Sequence, residues 1–339
     1  MENRIHREPD FNNILQVLRR EVPSRPTLFE FFLNDDIYRM TAGDPPSQQD
    51  PLLHLAYMAK AYAACGYDFV TYWDSALYFP TAETAAEATI SLNAGSCIQN
   101  RRQFEEYPWP DPEKLDYSLL ERIRPLLPGN MKIMLVTPDG LLETVTRLVG
   151  YDNLCLMLYD DPDLVRDIFD KIGAIYLRYY ELGMGYDSVG MQMVSDDWGF
   201  NTQTMLAPAS LREYVFPWTK KMVEVAHNLQ KPSVLHSCGQ LEAVMEDIIE
   251  DMKFDGKHSY EDKILPVESA YLRWGDRIAV LGGLDVDFLA RRTPEEITSR
   301  ARGMLELSAQ KGGYALGSGN SIPSYIPPDH YFAMTQAIL

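Results

Sequence analysis

The feature that most constrains this chain is an alternation: short β-rich runs end in polar residues, and each is followed by a longer helical pattern. Eight such runs can be counted, at 27–32, 68–73, 132–137, 188–193, 233–236, 255–258, 278–282 and 313–317. Strand–helix repetition of this kind is the sequence sign of βα units on a parallel sheet. Eight units in 339 residues favour an α/β fold of the closed (β/α)8, or TIM-barrel, type over an open doubly wound sheet, with 1–339 read as one domain. The helical segments carry their own punctuation. A stretch at 52–65 closes on Gly66, one at 163–182 ends at Gly183, Pro208 and Pro294 stand at first-turn positions, and Thr293 is a natural N-cap before Glu295 and Glu296.

One connection is far longer than the rest. Residues 75–131 separate the second and third runs, with helices expected at 83–93 and 117–127. Between these lies 97–111, which contains Arg101, Arg102, Tyr107 and Trp109. Such an insertion serves as a cover or a partner surface, or is simply an extra packed helix pair. Charge narrows the partners: a formal charge of −18 repels phosphate backbones and anionic membrane surfaces, which excludes nucleic acid and membrane as expected partners. No apolar run approaches the roughly 20 residues of a membrane span. The polar N-terminal segment does not read as a signal peptide, and four cysteines in a chain of this size do not read as a disulfide framework, so a cytoplasmic location is expected.

In a barrel the chemistry gathers at the C-terminal ends of the strands. Reading those ends in turn gives Glu30, Asp74, Pro138 with Asp139, Ser195 with Asp196 and Asp197, His236 through Gly239, His258 with Ser259, Gly283 with Asp285, and Ser318 through Asn320. The sharpest local feature is His236-Ser237-Cys238-Gly239. Residues two apart on an extended chain share a face, so an imidazole and a thiol project together, as two zinc ligands would. A buried histidine beside a small apolar cysteine produces the same pattern. Asp196 and Asp197 suit a general base, a third ligand or a substrate anchor, or are solvated acids at a helix start. Trp73, Tyr72 and Trp198 suit the wall of an aromatic-binding pocket, or barrel packing. The loop Gly317-Ser318-Gly319-Asn320 has neither the lysine nor the spacing of a nucleotide cradle.

These residues also carry a resemblance. Asp196-Asp197 followed by Ala207-Pro208, then His236-Ser237-Cys238-Gly239, Leu281-Gly282-Gly283-Leu284-Asp285, Thr293-Pro294-Glu295-Glu296 and Gly317 through Pro323 resemble the uroporphyrinogen decarboxylase superfamily. The resemblance implies a (β/α)8 barrel and two branches of activity. The decarboxylase branch places an arginine-rich motif after the first strand, where this chain reads Glu30-Phe31-Phe32-Leu33-Asn34-Asp35-Asp36. The corrinoid-linked branch holds zinc with a His-x-Cys pair, matched by His236 and Cys238, and a distant cysteine, matched by Asn320. That departure points to the branch that takes methyl groups from small molecules such as aryl methyl ethers, with Asp196, Asp197, His258 and Glu30 as candidate replacements for the third ligand.

The resemblance thus implies a zinc-dependent methyltransferase. Its partners are a small-molecule methyl donor and a separate corrinoid protein, because no D-x-H-x-x-G signature is present here. Asp196, Asp197 and His258 stand as catalytic candidates, and Glu30, Trp73, Asp74, Trp198 and Asn320 as substrate-binding candidates. His236 and Cys238 are the metal candidates. A homodimer is an assembly to test. The alternatives are a decarboxylase of porphyrinogens and a non-catalytic ligand-binding barrel.

Overall fold

A computed structural model describes residues 5–47, 50–81, 92–93 and 95–339. Seven parallel strands form one curled sheet in chain order: β1 (Phe69–Tyr72), β2 (Lys132–Val136), β3 (Val189–Ser195), β4 (Ser233–His236), β5 (Gly256–His258), β6 (Ala279–Leu281) and β7 (Tyr314–Ala315). Each falls within or beside an expected run, because β-branched and apolar residues there are buried on both faces, as a helix-covered parallel sheet requires. This is the TIM-barrel-like α/β architecture expected.

The expected first strand, 27–32, departs from the pattern. It makes a single parallel bridge, Leu28 to Leu316, with Phe29 N donating to Leu316 O at 2.8 Å and Leu316 N to Thr27 O at 2.9 Å. On its other side, side chains take the place of a backbone ladder. Thr71 Oγ1 donates to Phe31 O at 2.6 Å and Tyr62 Oη donates to the same oxygen at 2.9 Å. With that carbonyl already engaged, β1 is joined through hydroxyls rather than amides, and the segment occupies the eighth position without becoming a regular strand.

Alternation along the strands separates two cores. Phe69, Met134, Val136, Met191, Met193, Val234 and Leu281 face inward with Phe29, and the helix Asn12–Leu18 closes that interior with Ile14, Val17 and Leu18. Val70, Ile133, Leu135, Val189, Leu235 and Val280 face outward into the helices.

The helices follow their punctuation. Pro51–Ala64 starts on Asp50, which accepts from Leu52 N and Leu53 N, and Gly66 takes φ +91° beyond its end. Pro162–Gly183 starts on Asp161, and Pro294–Ser308 starts on the Thr293–Glu296 capping box. Pro208 opens only a short turn, Pro208–Ser210, which passes through a wide turn at Leu211–Val215 before Phe216–Asn228; Pro217 supplies no N–H at that junction.

Within the insertion, helix Arg101–Glu106 lies in the segment read as a connector. The helix expected at 117–127 is reduced to Ser118–Arg122 and a tight turn at Arg124–Leu126, since Pro125 has no N–H with which to continue the helical ladder. The helix expected at 83–93 lies almost entirely outside the described residues. Among those described, no helix is long and apolar enough to cross a membrane.

Candidate metal centre

Parallel register sets the site. Ser195 on β3 stands beside His236 on β4, and His236 stands beside His258 on β5. Three strand ends therefore deliver Asp197, His236, Cys238 and His258 to one place. Ligand atoms of Asp197, His236 and Cys238 all lie within 4.8 Å of one another. His236 Nε2 is 3.7 Å from Cys238 Sγ and 3.9 Å from Asp197 Oδ1. Cys238 is a free thiol, and its backbone N donates to Asp197 Oδ1 at 2.9 Å. Gly239 makes the sharp exit from this strand end. Its φ is +88°, and a Cβ there would sit 2.1 Å from Gly199 O.

Hydrogen bonding fixes which nitrogen of His236 is bare. His258 Nε2 lies 3.1 Å from the Ser318 carbonyl, which can only accept, so that nitrogen carries the proton. Burial holds His258 well below the usual imidazole range, hence neutral, and its Nδ1 is left as an acceptor. His236 Nδ1, 2.8 Å away, must then be the donor. His236 is also neutral, lowered to about 3 by burial and then by the Lys257 ammonium. Its remaining nitrogen, Nε2, keeps an open lone pair facing Cys238 and Asp197. A ligand histidine oriented through its second nitrogen is the usual support of a protein metal site.

The charges around it suit a cation. Burial first, and then Asp197, push the Cys238 thiol up. Burial, followed by Asp197 and Asp196, pushes the Glu143 carboxyl well up. Asn320 Nδ2 donates to Cys238 Sγ at 3.3 Å, and Ser259 Oγ lies 3.5 Å from the same sulfur. The Phe31 ring stands 4.8 Å from the His236 ring.

The expected site residues divide into groups. Asp197, His236, Cys238 and Asn320 meet at the cluster, with His258 behind it. Asp196 and Trp198 do not reach the mouth. Asp196 accepts from Leu142 N at 3.0 Å and Glu143 N at 3.1 Å, capping the helix Leu141–Val149, and from Trp198 Nε1 at 2.8 Å. Trp198 is fully buried against Phe216, so the structure puts it in packing beneath the site rather than in a pocket wall. Glu30 is also buried. Its Oε1 accepts from Ser318 Oγ at 2.7 Å and its Oε2 from Ser318 N at 3.1 Å, tying the first run to the last loop. Trp73 and Asp74 line a separate cavity of about 810 Å³ at the end of β1.

Three contributors escaped the strand-end reading: Phe31, Lys257 and Glu143. Glu143 had a signal, since it stands three residues after the N-cap Gly140 and its Oε2 accepts from Gly140 N at 2.9 Å.

Glu30 yields a pH prediction. Burial raises its carboxyl to about 8. The folded state therefore binds a proton that the unfolded state releases near its ordinary range, and stability falls as pH rises from about 4.5 to about 8. Asp196, raised by burial to about 7, acts in the same direction. In Glu30→Gln, urea midpoints should fall less between pH 5 and pH 8 than in the wild type. An unchanged slope would show that Glu30 ionises without cost.

Residues 96–339 match the family model described as uroporphyrinogen decarboxylase (URO-D). Among curated proteins, a uroporphyrinogen decarboxylase of Alkalilimnicola ehrlichii is 25% identical over 258 residues, covering 71% of this chain and 67% of its own length. One of Sodalis glossinidius is 25% identical over 250 residues, covering 69% and 66% respectively. Other relatives are matched over about half their length. Among solved structures, a methyltransferase from Methanosarcina mazei superimposes with a TM-score of 0.69 at 16% identity, over 96% of this chain and 97% of that one, a likeness of fold.

Proposed function

From a chain that belongs to the uroporphyrinogen decarboxylase family, with nitrogen, sulfur and carboxylate donors gathered at one mouth of its barrel, we propose a metal-assisted methyltransferase. It moves a methyl group from a methylated small molecule, aryl methyl ethers among the candidates, to a corrinoid protein. The observation that carries this reading is the bare His236 Nε2 set 3.7 Å from Cys238 Sγ and 3.9 Å from Asp197 Oδ1. Zinc bonds of about 2.0–2.3 Å in a tetrahedron have ligand–ligand edges of about 3.3–3.8 Å, so the two His236 separations are near that range and the Asp197–Cys238 pair, within 4.8 Å, would close by about 1 Å or less. The mixed N, S and O donor set suits zinc as well.

His236, Cys238 and Asp197 would hold the ion, which leaves one position for the donor. Bound there, zinc supplies Lewis-acid stabilisation of negative charge on the leaving atom. The chain's own residues have narrower tasks. His258 holds His236 in the ligating tautomer. Asn320 donates an N–H to the sulfur and so favours its thiolate form. Phe31 covers the His236 ring and keeps water from that side. A reducing, cytoplasmic setting would keep the Cys238 thiol available. The corrinoid would arrive on a partner at the barrel mouth, beside the 75–131 insertion, with 1–339 acting as one domain.

The test is turnover. Zinc-loaded protein, incubated anaerobically with methoxylated aromatic compounds and cob(I)alamin, is expected to form methylcobalamin, read by absorbance. His258→Ala is expected to be slower by about 10- to 100-fold, the usual cost of losing the partner that orients a metal ligand. Failure of the wild type with every methyl donor overturns the reading. The names of the curated relatives favour a second one, decarboxylation of uroporphyrinogen. The acids Asp35 and Asp36 and the overall charge of −18 oppose a polycarboxylate there, and release of carbon dioxide from uroporphyrinogen by the wild type would establish it instead.

A further inference from the structure

The cavity of about 810 Å³ at the end of β1 is large enough for a small-molecule ligand and lies outside the metal cluster. Five aromatic rings stand in its walls: Tyr72 and Trp73 come from β1 and its exit, Tyr38 and Tyr57 from the flanking helices, and Phe32 from the first run. Phe32 and Trp73 lie with ring centroids 6.4 Å apart, and Tyr38 and Tyr57 at 6.0 Å. His54 Nδ1, also in the lining, is buried and makes no hydrogen bond within the protein.

Charge decides what these walls would hold. Two acids of the lining, Asp74 and Asp116, have no lysine or arginine within 4.0 Å among the described residues, although each accepts a backbone N–H, from Ala76 and Ser118 respectively. They flank Tyr72, whose phenol is pushed up by burial first and then by Asp74 and Asp116. The two cations at the rim are already engaged by neighbouring acids. Arg39 lies 3.9 Å from Asp35 and 3.7 Å from Asp36, and Lys114 lies 3.5 Å from Asp111. An anion would meet like charge from the half-buried Asp74 and the exposed Asp116, and a neutral ligand would gain nothing from either. A substituted ammonium group would meet both the ring faces and the carboxylates, the combination that recognises organic cations.

We infer that this cavity binds an organic cation bearing a substituted ammonium group, held over Trp73 and Tyr72 against Asp74 and Asp116. The ring series Trp73, Phe32, Phe31 and His236 joins the cavity to the metal cluster, with Phe31 and Phe32 4.9 Å apart. That such a cation is the methyl donor rests on the methyltransferase reading; that it binds does not.

Binding is therefore measured without corrinoid or metal. Choline and its neutral isostere 3,3-dimethylbutan-1-ol are titrated calorimetrically into the wild type, Asp74→Asn and Asp116→Asn, with circular dichroism confirming that each variant is folded. The expected result is choline binding at least about 10-fold tighter than the isostere in the wild type. At least one of the two variants, in folded form, should lose that preference while binding of the isostere is unchanged. Equal affinity for the two compounds, no binding of either at millimolar concentration, or a preference kept by both folded variants overturns the inference. A protein that binds choline but methylates no corrinoid keeps the cation site and loses only the methyltransferase reading.

Discussion

Cys238→Ala is expected to lower zinc affinity by more than about 100-fold while leaving the fold intact. Losing a partner that merely orients a ligand costs about 10- to 100-fold, and here the ligand itself is removed. The substitution leaves His236 Nε2 and Asp197 as two donors, one short of a three-ligand catalytic zinc site. It also deprives Asn320 Nδ2 of its acceptor, a secondary cost at a half-buried position. Elemental analysis after dialysis against a weak chelator should find about one zinc per wild-type chain and essentially none in the variant, with unchanged circular dichroism. Asp197→Asn should fall between the two, because an amide oxygen keeps the position but loses the charge. Full zinc content in Cys238→Ala would show that the sulfur is not a ligand.

Gly239→Ala is expected to cost the fold several kcal/mol. Its φ of +88° lies where a side chain costs about 1–2 kcal/mol. The new methyl would stand 2.1 Å from Gly199 O and 2.2 Å from Gly199 C, both backbone atoms of a loop that cannot swing aside as a side chain would. Crowding of that kind adds about 1–3 kcal/mol, for a total of about 3 kcal/mol. The displaced backbone also carries Cys238 N, which holds Asp197, so zinc binding should weaken in parallel. Gly303→Ala is the control. It sits inside the helix Pro294–Ser308 with nothing within 4 Å, and should stabilise by about 0.5–1 kcal/mol. Equal urea midpoints for the two variants would remove the steric account.

The strands were readable because helix caps and prolines mark their limits: Asp161, Thr293 and Gly66 do in the structure what their chemistry suggests. The first run was over-read because its sequence does not disclose that Thr71 and Tyr62 hydroxyls take the Phe31 carbonyl. At the site, the two-residue period placed His236 beside Cys238 without knowledge of the fold. Separating Asp196 from Asp197 required more. Adjacent acids on a strand exit point to opposite sides, and only the packing of helix Leu141–Val149 decides which one is consumed as its cap. Trp198 followed Asp196 inward for the same reason, as its hydrogen-bond donor. The part played by His258 depends on the register between β4 and β5, a pairing of residues 22 positions apart that no local motif encodes.

The contacts of Ser318 bear on when, during synthesis, His236 becomes oriented. The proton on His258 is positioned by a carbonyl 60 residues further along the chain, and Ser318 itself is held by Glu30, 288 residues earlier. A nascent chain that has emerged only through β5 already carries all three donor side chains, yet nothing then dictates which nitrogen of His236 is bare. The orientation of His236 is thus completed only when the two ends of the polypeptide have met.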